Sequence, residues 1–311
     1  LDAKRRKSRG RVLVEMPKAS KEQAAFELWL LLNRLSPICW TKNSFGLVGA
    51  SKVLFAVLPE VALPIDNVEW REVFKTIDYG EIILSMTTKM RSANIQEHFP
   101  GVIISESIPS YEADLQDIRE NGHSFIESLK SNSRYQVRRS IRLYEAEYGK
   151  LALIQAQNES EALEFFHQAG DFHRQRWDDS GYSNPEFVRF HENLIHKGFD
   201  DNKVQVIKMK AGVTTIAVLY YQLSEKTVYF YLQGLRPETD SKLKPGLVAH
   251  ALASQHFLEL GMNTYDYMGG YSQYKEQLAH HSTDLVSICI QQPRFIFVLE
   301  KIARSIKRAF S

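Results

Sequence analysis

The chain has 311 residues, with 39 Lys and Arg against 37 Asp and Glu and a hydrophobic fraction of 44%. That length suits two domains of ordinary size, and the composition is that of a soluble globular protein, which excludes a disordered chain. A formal net charge of +2 excludes general DNA binding through a global field, so an anionic partner has to be met by a local patch. The two cysteines, Cys39 and Cys289, stand far apart without metal-ligand spacing, which predicts a reducing, cytoplasmic setting with neither disulfide nor metal. The longest apolar run, near residues 26–32, is too short to cross a bilayer, and the start carries no signal-peptide pattern. Because the first residue is not Met, the chain reads as trimmed or as a fragment.

Residues 1–11, LDAKRRKSRGR, read as a basic leader with no assigned role. A helix over 21–33, a buried strand over 53–58 and a helix capped by Asp66 and running through Trp70 and Phe74 come next. A strand over 81–86, a helix over 88–98 and a strand over 102–107 complete an α/β alternation, which makes 1–109 an N-terminal α/β half without a chemical motif. Residues 110–149 connect the halves through a strand over 111–115 and a basic helix from Ser133. That helix places Val137, Ile141, Tyr144 and Tyr148 on one face, with Arg134, Arg138 and Arg142 as a stripe at i, i+4, i+8. A solvated face is the plain reading of the stripe; Arg138 gripping an anionic substrate is the sharper one.

Residues 150–292 form the second domain. A strand over 151–156 and a helix from 159 to about 177 precede Asn184-Pro185, a cap and first-turn pair that opens a helix ending at Gly198. Strands over 204–209, 214–223 and 227–233 make an antiparallel meander with turns at Ala211-Gly212 and 224–226. Gly234 ends the third with a bulge or a close backbone approach. The loop Ser241-Lys242-Leu243-Lys244-Pro245-Gly246 then starts a helix that Gly261 ends. A strand over 264–268, parallel to 227–233 because a helix joins them, is followed by a short helix and a last strand over 285–291. Residues 293–311 read as a terminal amphipathic helix, with Phe295, Leu299, Ile302, Ile306 and Phe310 on one face and Lys301, Arg304, Lys307 and Arg308 elsewhere. It docks on the protein's own core or, alternatively, rests peripherally on an anionic membrane.

A helix N-terminus behind two lysines offers free N–H groups, a positive dipole end and fixed cations, a combination that suits a pyrophosphate. An ordinary βαβ crossover is the bland reading of the same stretch. The blocks FIESLKSNSRYQVRRSIR, FHRQRWDDSGYSNPEFVRFH, KLKPGLVAHALASQHFLELGMNTYDYMGG and YSQYK, in this order, resemble the cellulose-biosynthesis-associated GNAT acyltransferases, a CelD-like group similar in turn to the Fem aminoacyltransferases of peptidoglycan synthesis. The resemblance covers 110–280. It implies an α/β GNAT fold, with two GNAT-like halves having mixed central sheets, and an acyltransferase that uses acetyl-CoA or another acyl-CoA as co-substrate. In this family pantetheine lies between splayed fourth and fifth strands. Carried over, backbone groups of Gln233, Gly234 and Leu235 line the arm, Lys242, Lys244, Gly246 and Leu247 hold the pyrophosphate, and Arg236 adds charge. The loop departs from the glycine-rich family pattern, since only Gly246 is present.

Direct transfer from a thioester needs alignment of the reactants, a base for the nucleophile and an acid for the leaving thiolate. Asp266, Tyr274 and Lys275 are the candidates, as base, acid and oxyanion stabiliser; a cap, a packed ring and a solvated cation are their plain counterparts. His173, Arg176, Trp177 and Tyr271 are candidates for acceptor contacts. The acceptor implied is a small molecule or an envelope or polysaccharide precursor, acylated on nitrogen or oxygen. A Fem-like transfer from aminoacyl-tRNA is the first alternative, and the absence of a long charged helical pair makes a tRNA partner unexpected. A non-catalytic binding module that keeps the fold is the second.

Overall fold

The computed structural model describes residues 81–98 and 102–291. The helices and strand expected before residue 81, and the terminal helix over 293–311, lie outside the described residues. The chain divides into two compact units, residues 1–108 with 284–311 and residues 109–283. In the described part of the first unit, β1 (Glu81–Thr88) precedes α1 (Lys89–His98). β1 pairs antiparallel with the last strand, β8 (His281–Gln291), from Glu81↔Gln291 to Thr88↔Leu285.

The second unit begins within β2 (Val102–Asp114), one strand where the sequence reading had two. Short helices α2 (Leu115–Glu120) and α3 (Phe125–Ser128) lead to α4 (Ser131–Tyr148). Then come β3 (Leu151–Gln155), α5 (Glu159–Arg176), α6 (Pro185–Gly198), β4 (Val204–Ala211), β5 (Thr214–Ser224) and β6 (Thr227–Leu235). α7 (Pro245–Glu259), β7 (Thr264–Gly269) and α8 (Gln273–Leu278) complete the set. The strands lie in the order β2-β7-β6-β5-β4-β3, antiparallel except β6 with β7, which are parallel as the connecting helix requires.

Local chemistry sets most boundaries. Ser124 and Glu127 make a reciprocal capping box at α3, Asn158 caps α5 through the N–H of Glu161, and Asn184 caps α6 ahead of Pro185. α7 ends in a Schellman turn, with Gly261 at φ +75 and the Gly261 and Met262 N–H groups returning to the carbonyls of Leu258 and Phe257. Strand alternation then sends side chains to two cores. Tyr221 meets Phe257 and Tyr265 on the α7 side; its neighbour Tyr220 meets Phe166 of α5 and His191 of α6 on the other. α4 buries Ser133, Val137, Ser140 and Tyr144, and Ile141 and Tyr148 pack against the same core, so the apolar stripe seen in the sequence faces inward with two serines beside it. Among the described residues, no helix is long and apolar enough to cross a membrane.

Gly234 lies inside β6 rather than ending it, and the register shift falls nearby between Tyr220 and Tyr221 of the partner strand. Of the two uses the sequence suggested, close approach is the one seen: a Cβ at Gly234 would stand 2.4 Å from the Ala169 carbonyl oxygen and 2.5 Å from its Cα on α5. Backbone has to move to admit it. We expect Gly234→Ala to cost about 1–3 kcal/mol and to lower the melting temperature by several degrees; an unchanged melting curve would show that α5 does not ride on β6 at this point.

Candidate functional site

The connection from β6 to α7 folds back at Asp240, whose Oδ1 accepts from the Lys242 N–H at 2.8 Å while its carbonyl accepts from Leu243. Lys244 then precedes Pro245, and α4 holds it twice: its N–H donates to Ser140 Oγ at 3.0 Å and its Nζ to Gln136 Oε1 at 2.7 Å. Gln136 is neutral, so the lysine charge is oriented by that bond without being cancelled. A cleft of about 390 Å³ opens here, walled by Asn132, Tyr135, Gln136 and Arg139 on α4, by Ser241, Lys242 and Lys244 on the loop and by Gln273. The α4 residues follow i, i+3, i+4, i+7, one face of a helix.

The cation that α4 supplies is therefore Arg139. Arg138 is exposed and lies outside this lining, and Arg134 donates to the Glu127 carbonyl. Arg138 and Arg142 of the stripe are exposed, and the cleft is lined by Arg139, one residue on. Gly246 is buried, where a Cβ would stand 3.2 Å from Leu235 Cδ1, and Leu247 is a core residue; neither residue lines the cleft. Arg236 is placed elsewhere: its guanidinium covers the Tyr148 ring at 4.8 Å, about three turns along α4 from Gln136.

β6 and β7 pair from Thr227↔Thr264 to Tyr229↔Asp266, and beyond that the two strands part. On β7 the cause is a bulge opposite Tyr111 and Glu112, where Met268 takes φ +66 and Asp266 Oδ1 accepts the Met268 N–H at 2.6 Å. This Asx-type turn is what Asp266 does in the fold. Tyr265 and Tyr267 reach α7, bonding His250 and Ser254, so alternation aims Asp266 at the opposite face. Tyr274 and Lys275 lie in α8 just after β7, and Asp266 is held in the bulge by its bond to the Met268 N–H.

Where the strands part, a buried polar cluster stands on the α7 side. The His250 ring stacks on Tyr274 at 4.7 Å and 9°. Its Nδ1 lies 2.7 Å from Tyr265 Oη and its Nε2 3.1 Å from Gln233 Oε1, and Gln233 also bonds Tyr274. Burial, then the Lys275 charge, push His250 down to about 3, so its ring is neutral. Burial raises the Tyr274 phenol, which the Gln233 bond partly offsets. Lys275 is buried and donates from Nζ to the carbonyls of Gly269 at 2.9 Å and Met268 at 3.4 Å.

His173, Arg176 and Trp177 sit together at the end of α5, on the sheet face opposite α7. His173 Nδ1 is 2.9 Å from Ser180 Oγ, and burial, followed by Arg176, lowers its basicity. The Arg176 guanidinium lies 5.5 Å from the centre of the exposed Trp177 ring. Tyr271 is 73% exposed, with its hydroxyl 3.4 Å from Glu276 Oε2. No group of His, Cys, Asp and Glu able to hold a metal occurs among the described residues. His250 and Arg139 escaped the sequence reading because a lone His in the apolar run VAHALA and one more arginine on a basic helix carry no local signal.

Residues 131–276 match the family model described as acetyltransferase (GNAT) domain. No curated protein matches the sequence. Among solved structures the chain is similar to FemX, at 9% identity over 77% of this chain and 81% of that one, with a TM-score of 0.55. It is also similar to a conserved protein of unknown function from Bacteroides thetaiotaomicron VPI-5482, at 11% identity over 78% and 76% with a TM-score of 0.48. L-PGS from Bacillus licheniformis matches at 12% identity over 73% of both chains, with a TM-score of 0.47. The meander, the crossover helix and the parallel pair that parts make this a GNAT-like fold, within which residues 131–276 are similar to the acetyltransferase (GNAT) domain family.

Proposed function

We propose that the chain is an acyl-CoA-dependent N- or O-acyltransferase acting by direct transfer on a small-molecule or cell-envelope precursor. The observation that carries this reading is the parting of β6 from β7 beside a cationic cleft at the start of α7. In this reading Lys242, Lys244 and Arg139 take the pyrophosphate with the first N–H groups of α7, and the pantetheine arm runs along the β6 edge at Gln233–Leu235. The acceptor nitrogen or oxygen attacks the thioester carbonyl and loses its proton to solvent water; the C–S bond breaks, the thiolate takes a proton from Tyr274, and Tyr274 regains one from solvent. Lys275 holds a positive charge beside the developing oxyanion. Asp266 supports the bulge that opens the strands.

A thermal-shift panel with acetyl-CoA, longer acyl-CoAs, free CoA and aminoacyl-tRNA tests the reading, since a ligand bound only by the folded state raises stability by mass action. We expect CoA and its thioesters to stabilise the protein. Stabilisation by aminoacyl-tRNA alone would move the function to the Fem-like alternative. Replacing Lys242 and Lys244 together by Ala is expected to weaken CoA binding on the order of tenfold or more, at roughly 1.5 kcal/mol or above for lost charge-assisted bonds, and to flatten its salt dependence. Unchanged affinity in the double variant would remove the cleft from the binding site.

A further inference from the structure

We propose that His250 is a positioning residue whose two ring nitrogens set the direction of a buried hydrogen-bond chain, so that the Tyr274 hydroxyl points its proton outward as a donor. The inference rests on the acyl-transfer reading for its use, but its geometry stands without it. His250 is wholly buried between Phe230, Tyr265, Tyr267 and Tyr274, with the Lys275 charge near enough to oppose its protonation. A neutral imidazole has one donor and one acceptor. Gln233 turns its Oε1 toward His250 Nε2, and a carbonyl oxygen only accepts, so Nε2 carries the hydrogen. Nδ1 is then the acceptor and takes the Tyr265 hydroxyl proton at 2.7 Å. Tyr265 Oη in turn accepts from Tyr221 Oη at 2.9 Å. At the other end the Gln233 amide has only N–H groups left to offer, so it donates to the Tyr274 oxygen. Tyr274 thereby accepts from Gln233 instead of donating to it, and its O–H is left to donate to a ligand atom.

The opposite direction is chemically possible and has the contrary result. With Nδ1 protonated, Nε2 would need a donor, the Gln233 amide would have to reverse, and its oxygen would consume the Tyr274 proton. The face-to-face contact of His250 with Tyr274 at 4.7 Å ties ring position to the same residue that fixes proton direction. His250 bonds the side chain of Gln233, whereas the reading gives the pantetheine arm the backbone of Gln233, so its effect is expected in the rate.

Nitrogen-15 NMR of the full chain with labelled histidine reads the tautomer directly and needs no substrate. The expected result at pH 7 is a neutral His250 ring with hydrogen on Nε2, still neutral at pH 5. Hydrogen on Nδ1, or a charged ring, overturns the proposal. In parallel, thiol release from acetyl-CoA is followed with a panel of primary amines and sugars. His250→Phe, which keeps the stacked ring and loses both nitrogens, is expected to lower the rate ~10–100-fold at unchanged CoA affinity. His250→Gln, which offers an amide N–H to Gln233, is expected to recover most of that loss. Equal rates for His250→Phe and the unchanged protein overturn the proposal. If the unchanged protein releases no thiol at all, the acyl-CoA reading falls, and the tautomer alone upholds or overturns the chain's direction.

Discussion

Between pH 7 and pH 5 the folded chain is expected to lose roughly 4 kcal/mol of stability through two imidazoles, at about 1.4 kcal/mol per pH unit for each. His191 and His250 are fully buried and both are held down to about 3 from an ordinary value of 6.5. Above pH 6.5 they are neutral in both folded and unfolded chains and contribute nothing to the pH dependence. Below it the unfolded chain takes up protons that the folded chain refuses, so stability falls as the pH falls, until about pH 3. Burial is the main cause at both sites. At His250 the Lys275 charge adds to it; His191 is enclosed by Phe166, Phe187, Tyr220 and Tyr231. A loss of this size is a large share of the 5–15 kcal/mol typical of a domain. Denaturant titrations at pH 7, 6 and 5 measure it, and His191→Phe should remove about half of the slope. A stability that stays flat over this range, or a slope that survives replacement of both residues by Phe, would contradict the assignment.

Tyr274→Phe is expected to lower turnover by ~10²–10⁴-fold, the usual worth of a general acid, with CoA affinity unchanged. Its phenol is raised by burial, so it stays protonated throughout the working range, the form needed to meet a leaving thiolate. The substitution leaves the stack on His250 in place and removes the oxygen that Gln233 bonds, so a stability loss of about 1–3 kcal/mol is expected beside the rate effect. Lys275→Met is a less clean probe. Its Nζ satisfies the Gly269 and Met268 carbonyls, and their loss adds about 1–3 kcal/mol of destabilisation to any loss of rate. Steady-state kinetics beside CoA titration separate the cases: full turnover in Tyr274→Phe would dismiss it as the acid.

The elements were legible because their signals are local. Asn184-Pro185, Gly261 and the alternating 204–235 stretch each act on a few neighbouring residues, and α6, the Schellman turn and the β4-β5-β6 meander stand where the spacing put them. The parallel pairing of β6 with β7 was legible too, since a chain that crosses over through a helix returns in the same direction. Most boundaries moved by one or two residues, and the largest change is that two short strands proved to be the single β2, because pairing with β7 lends order to residues with weak strand preference of their own.

The site was legible by neighbourhood and opaque in its partners. Lys242 and Lys244 could be placed at a helix start from the chain alone, and Tyr274 beside Lys275 just after a strand. Arg139 instead of Arg138 lines the cleft because the phase of α4 is set by Ser140 and Gln136 bonding Lys244, contacts between residues more than a hundred positions apart. Asp266 and Tyr265 are adjacent in sequence, yet the pleat of β7 gives one to the bulge and the other to His250. His250 matters through Gln233, Tyr265 and Tyr274, which only the crossover of α7 over the parted strands gathers around it. Periodicity is a property of a few consecutive residues and survives in any environment; a hydrogen-bond chain exists only once folding has excluded water and set each donor within bonding distance of its acceptor.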